Sequence, residues 1–277
     1  MSSKFTNLGR QVWMFVALLS FGLPSIVFGQ SVLRFDGQNG SASGDGTNWG
    51  SSAFKYLKGA IDDSSNHTPP VQIWVRGSTG SGIMCRPDQS ADNPTGTPLN
   101  RAAFFDMKAN VKIYGGFAGT EGPSDFNLRN PAANITILTG DIGTQNTTTD
   151  NCFTVVKCTA SSATNFNCIL DGVTITGGFA NDGAGQDSGG GVRITNGAAP
   201  RLHQCRIANN FAGNSTNLYS GGAGVYVNAA SPVLTRCTIE FNAGAANFVG
   251  RGGGLLSTGA STVRMIDCTI HKNSKVL

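Results

Sequence analysis

Three observations predict an all-β chain built of stacked coils. A unit of about thirty residues recurs through the C-terminal third, glycine accounts for 38 of 277 residues, and only 13% of the residues are charged. A fixed period of this size is typical of stacked repeats rather than of one globular core. Abundant glycine disfavours long helices, and 39% apolar residues disfavour disorder. The three clear copies align as Leu202-Cys205-Ile207-Asn210, Leu234-Cys237-Ile239-Asn242 and Met265-Cys268-Ile270-Asn273.

Each unit is predicted to form three short strands, which together make one coil of a parallel β-helix. A glycine cluster precedes the first strand, the Leu position marks the second, and Cys-x-Ile marks the third. Strands of successive coils pair, so inward side chains form columns. The asparagine is expected to adopt the left-handed turn conformation and to bond backbone groups or the asparagine one coil away. A fainter earlier copy has Leu170, Val173 and Ile175, with Gly178 in the asparagine position.

The seven cysteines fall into two groups. Cys205, Cys237 and Cys268 share one position of the repeat, so parallel pairing would set them roughly 4.8 Å apart. Their parallel Cβ directions make a disulfide torsion awkward, so a column of buried thiols is the prediction. Cys152 and Cys158 flank a strand-like run and are the candidate disulfide pair, and Cys85 is the candidate unpaired thiol.

Residues 1–29 are predicted to be a signal peptide. Lys4 and Arg10 precede an apolar stretch, and Val27 and Gly29 suit cleavage before Gln30. An uncleaved membrane anchor is the alternative, but Gly22 and Pro24 interrupt a run that would need about 20 apolar residues to span. The prediction is therefore an exported chain with no transmembrane helix after cleavage.

The mature chain divides into two predicted parts. Residues 30–110 form an N-terminal cap region with one amphipathic helix, Phe54–Ile61, and a long loop from Gly77 to Asn100. Residues 111–277 form the coils, with clear repeats from about 168 and an end that looks truncated or uncapped. Strands are expected at Val71–Val75, Val111–Tyr114, Ile135–Leu138 and Thr154–Val156.

The glycine-glycine-apolar and Ile-x-x-Asn elements resemble the paired GGA[ILV] and FxxN repeats of the polymorphic outer membrane proteins. Ile207, Ile239 and Ile270 stand where that family has Phe. The segments Gly44–Trp49, Tyr114–Glu121 and Leu170–Gly178 also resemble, in order, the opening part of large bacterial secreted right-handed β-helix proteins. This resemblance implies a right-handed parallel β-helix and an exported, cell-surface or outer-membrane protein with an adhesin-like role. It carries over no catalytic residue.

No catalytic, cofactor-binding or metal-binding residues are predicted. A hydrolase would need two carboxylates about 5 to 9.5 Å apart, whereas Asp171 and Glu240 lie at different positions of different repeats. His67, His203 and His271 show no metal-ligand spacing. Calcium is the one alternative left open, because glycine-rich loops carry acids at Asp36, Asp45, Asp182 and Asp187. The repeat arginines are interpreted as solvent-facing: Arg193, Arg201, Arg206, Arg236, Arg251 and Arg264.

The predicted function is surface or matrix binding of adhesin type. The partner would be an extracellular polysaccharide or another surface ligand, bound by the lateral face and by the loops Gly77–Asn100, Ala180–Ser188 and Ala212–Ser220. Nucleic acid is not expected, since the net charge without the leader is about +2. Two alternatives remain: a polysaccharide lyase or glycoside hydrolase that works in a groove of the same face, or the stalk of a longer surface protein.

Overall fold

The computed structural model describes residues 31–159, 168–182, 187–213, 220–245 and 252–275. The predicted signal peptide lies outside the described residues. The described part is almost entirely β-structure, with one short α-helix, α1 (Leu57–Asp63), and four 3-10 turns, at Gly50–Ser52, Ser64–Asn66, Phe126–Leu128 and Thr148–Asp150. The strands are β1 (Ser31–Phe35), β2 (Val71–Arg76), β3 (Ile83–Cys85), β4 (Phe105–Asp106), β5 (Val111–Phe117), β6 (Thr136–Thr139), β7 (Val156–Thr159), β8 (Ile169–Asp171), β9 (Thr174–Thr176), β10 (Phe179–Ala180), β11 (Val192–Thr195), β12 (Arg201–His203), β13 (Arg206–Ala208), β14 (Phe211–Ala212), β15 (Val225–Asn228), β16 (Val233–Thr235), β17 (Thr238–Glu240), β18 (Ala243–Gly244), β19 (Leu255–Thr258), β20 (Arg264–Ile266), β21 (Thr269–His271) and β22 (Ser274–Lys275).

These strands form four sheets in which neighbouring strands run parallel. Sheet 1 has the order β1-β2-β5-β8-β12-β16-β20, and sheet 2 has the order β3-β6-β9-β13-β17-β21. Sheet 3 is β10-β14-β18-β22, and sheet 4 is β4-β7-β11-β15-β19. From β11 onward the chain visits sheets 4, 1, 2 and 3 in turn, so each repeat contributes one strand to every sheet. The prediction of an all-β chain with parallel, stacked repeats is confirmed.

Each later repeat has four strands, and the prediction of three was wrong. The extra strand is the two-residue segment after the ladder asparagine, such as Phe211–Ala212, which pairs with Phe179–Ala180 and with Ala243–Gly244. Two residues are too few to show a hydrophobic alternation, so nothing in the sequence pattern marked this strand. It exists because the backbones of neighbouring coils already lie at pairing distance.

The core consists of columns of inward side chains, as the repeat predicted. In sheet 1 the column runs Leu33, Ile73, Ile113, Leu170, Leu202, Leu234 and Met265. Its members are at most 2% exposed as far as Leu234. In sheet 2, Ile207 and Ile239 are fully buried, whereas Ile270 in the last described coil is 48% exposed. Each coil is thus buried mainly by the coils on either side of it.

The helix packs over the end of the columns. It contacts β1, β2 and β4, and β1 and β4 are the terminal strands of sheets 1 and 4. Its buried face is Leu57, Ala60 and Ile61, which belong to the same core cluster as Leu33. The observed helix begins three residues later than the predicted Phe54, because Phe54 forms β-bridges with Phe35 and Ser41. The helix covers apolar side chains that would otherwise face water at that end.

Besides the two-residue strand β4, two longer segments of the N-terminal region were not predicted as strands. The expected long loop Gly77–Asn100 contains β3, which pairs with β6. The side chains of Ile83 and Cys85 in this strand are buried. The segment Ser31–Phe35 had no assignment and forms β1, which pairs with β2 over five residues. Both strands are short and next to polar glycine-rich stretches, so their apolar residues were too few to form a clear pattern. None of the helices in the described part could cross a membrane.

The repeat asparagines form a hydrogen-bonded ladder. The Nδ2 of Asn210 donates to the Oδ1 of Asn242 at 3.0 Å, and the Nδ2 of Asn242 donates to the Oδ1 of Asn273 at 2.9 Å. Asn242 is fully buried. The Oδ1 of Asn210 accepts the backbone N–H of Gly178, where the faint first copy lacks an asparagine. The contact between asparagines one coil apart was therefore predicted correctly.

The left-handed turn does not lie at these asparagines, and that expectation was wrong. The residues with positive φ are the ones just before them, Asn209 at 55°, Phe241 at 54° and Lys272 at 51°. The ladder side chains must point inward to reach the next coil, so the preceding residue makes the change of direction. A glycine nearby gives the ladder room, since a Cβ at Gly191 would lie 2.8 Å from the Nδ2 of Asn210.

Candidate ligand-binding groove

A groove of about 720 Å³ runs along the outer face of sheet 2. Its floor is made by one residue from each of four neighbouring strands, Ile137 in β6, Thr174 in β9, Arg206 in β13 and Thr238 in β17. These residues are in register, so they form a row roughly 4.8 Å apart that crosses the strands. The groove therefore follows the direction in which the coils are stacked.

The wall of the groove is the turn between sheets 1 and 2. Gly172, Gln204, Arg236 and Asp267 occupy the same position in successive coils, and their φ values are 71°, 48°, 53° and 51°. A Cβ at Gly172 would lie 2.7 Å from the ring of Pro131, so glycine lets the Pro131 loop approach there. Gln204 and Arg236, one and two coils further on, are exposed and line the groove.

The same corner carries longer loops in the two preceding coils, and Asn130–Ala132 and Gly80 with Ser81 line the groove there. Arg129 anchors the Asn130–Ala132 loop: its NH2 donates to the Oδ2 of Asp171 at 2.7 Å, and its NH1 donates to the carbonyl oxygen of Gly115 at 3.1 Å. The side chains of Arg129 and Asp171 are only 10% and 9% exposed. The Nδ1 of His203 lies 3.1 Å from the same Asp171 oxygen. A buried ion pair therefore fixes the position of the wall.

The guanidinium of Arg129 also packs on aromatic rings. It lies 5.3 Å from the ring centre of Tyr114 and 5.1 Å from that of Phe126. Burial, followed by the nearby Asp171 carboxylate, raises the pKa of Tyr114. Trp74, Phe117 and Phe126 continue this cluster on the outer side of sheet 1. Aromatic packing and the ion pair thus act together to hold the loop.

A second acid links an arginine and a histidine next to the groove. The Nε of Arg206 lies 2.7 Å from the Oε1 of Glu240, and the Nε2 of His271 lies 3.0 Å from its Oε2. Within the described part of the chain, the terminal nitrogens of Arg206 donate no hydrogen bond, and Arg236 has neither an ion pair nor a side-chain hydrogen bond. The groove thus offers two arginines with donors that no described residue accepts.

The groove lining contains no carboxylate among the described residues, but it does contain Arg206 and Arg236. Its other polar members are hydroxyl and amide side chains, Ser81, Asn130, Thr136, Thr174, Gln204 and Thr238. Arg206 is paired with Glu240 beside the floor, so Arg236 is the arginine of the lining that has no acidic partner among the described residues. The sequence interpretation of both arginines as solvent-facing agrees with their exposure, but it did not show that they line one groove.

The other residues considered for chemistry have internal partners. Asp36 pairs with the NH1 of Arg76 at 2.9 Å and accepts the backbone N–H groups of Gln38 and Asn39. Asp45 accepts the backbone N–H and the hydroxyl of Thr47, and these hydrogen bonds lower its pKa. His67 pairs with Asp63 at 2.8 Å. Among the residues that the structure describes, no three potential ligands are grouped to hold a metal ion.

The predicted binding loops are only partly visible. The loop Gly77–Asn100 contributes Gly80 and Ser81 to the groove. Four of the nine residues of the loop Ala180–Ser188 and six of the nine of Ala212–Ser220 lie outside the described residues, and so does Arg251. Of the predicted lateral binding face, the structure therefore describes sheet 2 and the corner between sheets 1 and 2.

All seven cysteines are free thiols. The ladder prediction is confirmed: Cys205 and Cys237 are buried, and the backbone N–H of Cys237 lies 3.4 Å from the Sγ of Cys268. The predicted pair Cys152–Cys158 is wrong. The Sγ of Cys158 lies 3.5 Å from the Sγ of Cys168 instead, because both side chains point into the core at the same corner of one coil. Burial raises the pKa of Cys152 to about 12.

Comparison with known proteins adds no relative. No model of a known protein family matches the chain, and neither the curated proteins nor the solved structures give a significant match. The functional argument therefore depends on the geometry of this chain.

Proposed function

We propose that the chain is an exported, adhesin-like binding protein with a right-handed parallel β-helix fold, and that the groove on sheet 2 holds an acidic polysaccharide. The fold proposal is supported by four parallel sheets that the chain visits in a fixed order. Crossover connections between parallel strands are right-handed in about 98% of cases. The resemblance to polymorphic outer membrane proteins supports export and a surface role.

The observation that carries the binding proposal is the charge of the groove. Arg206 and Arg236 line it; Arg236 has no acidic partner among the described residues, and Arg206 uses only its Nε for Glu240 and keeps its terminal nitrogens for a ligand. Guanidinium groups bind carboxylates and sulfates through paired, charge-assisted hydrogen bonds. An arginine that lines a groove without a protein acceptor is a natural site for an anionic group of a ligand.

The shape of the floor favours a polysaccharide over an extended peptide. A peptide would gain affinity mainly by pairing its backbone with a free strand edge. The groove crosses β6, β9, β13 and β17, whose backbones already pair with one another. It offers instead the hydroxyl groups of Thr174 and Thr238 and the amide of Gln204, which suit a chain of hydroxyl groups.

Backbone strain gives a second reason to assign a role to the turn side chains. Gln204 and Arg236 hold left-handed conformations, which cost a residue with a Cβ about 1–2 kcal/mol. Gly172 shows that glycine fits the same position of the coil. Side chains kept at strained exposed positions are typical of functional sites.

The test measures binding of polygalacturonate, and of a neutral galactan as its uncharged counterpart, by calorimetry and affinity electrophoresis. We expect Arg236→Ala and Arg206→Ala each to weaken polygalacturonate binding about tenfold, the effect of losing one charge-assisted contact. The matched control is Arg201→Ala, since Arg201 is exposed on β12 of the same repeat but faces away from the groove on sheet 1. Its affinity should stay within about twofold of the parent.

The outcomes separate the alternatives. Equal affinity for the neutral galactan would remove the requirement for acidic groups, and loss of binding in the Arg201 variant alone would move the site to sheet 1. Release of unsaturated or reducing ends from the polysaccharide, abolished by Arg206→Ala or Arg236→Ala, would replace binding by lyase or hydrolase activity. Absence of binding to any polysaccharide by folded protein would leave the stalk role.

A further inference from the structure

We propose that Cys158 and Cys168 form a disulfide bond when the chain folds under oxidising conditions. Their Sγ atoms are 3.5 Å apart, and both residues are at most 1% exposed. A disulfide needs about 2.05 Å between the sulfurs. Because the two side chains already meet from different segments of one coil, the bond requires an approach of the sulfurs rather than a change of fold.

The position of the pair in the coil explains why a bond would be useful there. Cys158 pairs in register with Ile194, and Ile194 with Val227, while Cys168 precedes β8 as Pro200 precedes β12 and Pro232 precedes β16. The two cysteines therefore occupy the positions that apolar residues hold at the same corner of later coils.

The connection that the pair would close is longer than its counterparts. Ten residue steps separate Cys158 from Cys168, against six between Ile194 and Pro200 and five between Val227 and Pro232. The later connections turn at residues with positive φ, Asn196 and Gly197 in one coil and Ala229 in the next. A longer connection costs more entropy to close, and a cross-link removes part of that cost from the unfolded chain.

The chemistry is a thiol–disulfide exchange with a disulfide oxidant such as oxidised glutathione. One cysteine thiolate attacks a sulfur of the oxidant. This forms a mixed disulfide between the protein and the oxidant and releases one reduced thiol. The second thiolate then attacks the protein sulfur of that intermediate and releases the second reduced thiol. The two cysteines lose two protons and two electrons, and the oxidant disulfide is reduced to two thiols. In the folded protein, burial raises the pKa of Cys158, so the exchange should occur while the chain folds.

The experiment refolds the full chain from urea in a glutathione redox buffer, alkylates free thiols, and analyses a tryptic digest without reduction. Lys157 and Arg193 bound a tryptic peptide, residues 158–193, that contains these two cysteines and no others, while Cys152 lies in the preceding peptide, residues 130–157. We expect peptide 158–193 to be unalkylated and lighter by two hydrogen atoms. Its alkylation at both sites would overturn the proposal, and so would a link between the two peptides.

Variants provide the second readout. We expect the urea midpoint of the parent to be higher in glutathione buffer than in dithiothreitol. Cys158→Ala and Cys168→Ala should both abolish that difference, and the control Cys152→Ala should retain it. If the parent shows no difference between the buffers and no cross-linked peptide, the proposal fails. The parent comparison needs no substitution, so a variant that does not fold leaves the test intact.

Discussion

The N-terminal region (31–159) and the repeat region (187–275) build the same parallel sheets by different means. The repeat region uses identical side chains at identical positions, so that asparagine meets asparagine and cysteine meets cysteine one coil away. The N-terminal region uses single interactions instead, such as the helix over the column ends and the ion pair of Arg129 with Asp171 in the adjoining coil. Regular coils provide a surface with a fixed spacing, whereas irregular coils provide the loops that shape it.

The groove lies where the two regions meet. Its floor row begins at Ile137 in the N-terminal region and ends at Thr238 in the repeat region. Its wall is the corner between sheets 1 and 2, which is an irregular loop in the N-terminal region and a repeated turn in the repeat region. Neither region alone would enclose it, and four substitutions can test this division of roles.

The largest effect is expected at the loop anchor. Arg129→Ala leaves the carboxylate of Asp171 buried without its arginine, which should lower the free energy of unfolding by about 3 kcal/mol. Urea denaturation measures this change, with Arg201→Ala as the exposed control. A loss below about 1 kcal/mol would show that the loop is held mainly by its aromatic contacts.

The ladder of the repeat region should come next. Asn242→Ala removes a fully buried amide that donates to Ile207 and Glu240 carbonyl oxygens and joins both neighbouring asparagines. We expect a loss of about 2 kcal/mol from the unsatisfied backbone groups. Asn273→Ala, in the more exposed last described coil, should cost less. Equal losses would mean that the ladder does not depend on burial.

A buried thiol of the N-terminal region should make stability depend on pH. The pKa of Cys152 is about 12 in the folded chain against an ordinary value of 9.0, so the unfolded chain loses this proton first. The contribution of this thiol to the free energy of unfolding is therefore complete below pH 9.0 and is lost as the pH rises toward about 12. At pH 10 the stability lost through this thiol should be about 1.4 kcal/mol. Urea midpoints measured from pH 8 to 11 should decline less steeply in Cys152→Ala than in the parent.

The smallest effect on stability should come from Arg236→Gly. Glycine removes a left-handed strain of about 1–2 kcal/mol but adds about 0.5–1 kcal/mol of unfolded-state entropy. The free energy of unfolding should thus change by no more than about 1 kcal/mol, while polygalacturonate binding falls about tenfold. Large destabilisation would instead assign Arg236 a structural role in the turn.

The groove could not be predicted because it is lined by residues that lie far apart in the sequence. Arg236 and Asn130 line one groove although 106 positions separate them. The sequence pattern shows the strand-like run between Cys152 and Cys158 but not the corners of the coil. It therefore predicts the wrong partner for Cys158. The four-strand coil was missed for the same reason, since Phe211–Ala212 is ordered by its neighbours and not by its own composition.

The all-β class, the stacking of repeats, the inward columns and the asparagine and cysteine ladders could all be predicted from the amino-acid sequence. These features repeat every 31 or 32 residues, and a side chain at a fixed position of each coil must meet its copy one coil away. The fourth strand, the Cys158–Cys168 contact and the groove became visible only in the three-dimensional structure. Such features depend on where non-repeating loops pack, and long-range contacts of that kind leave no period in the sequence.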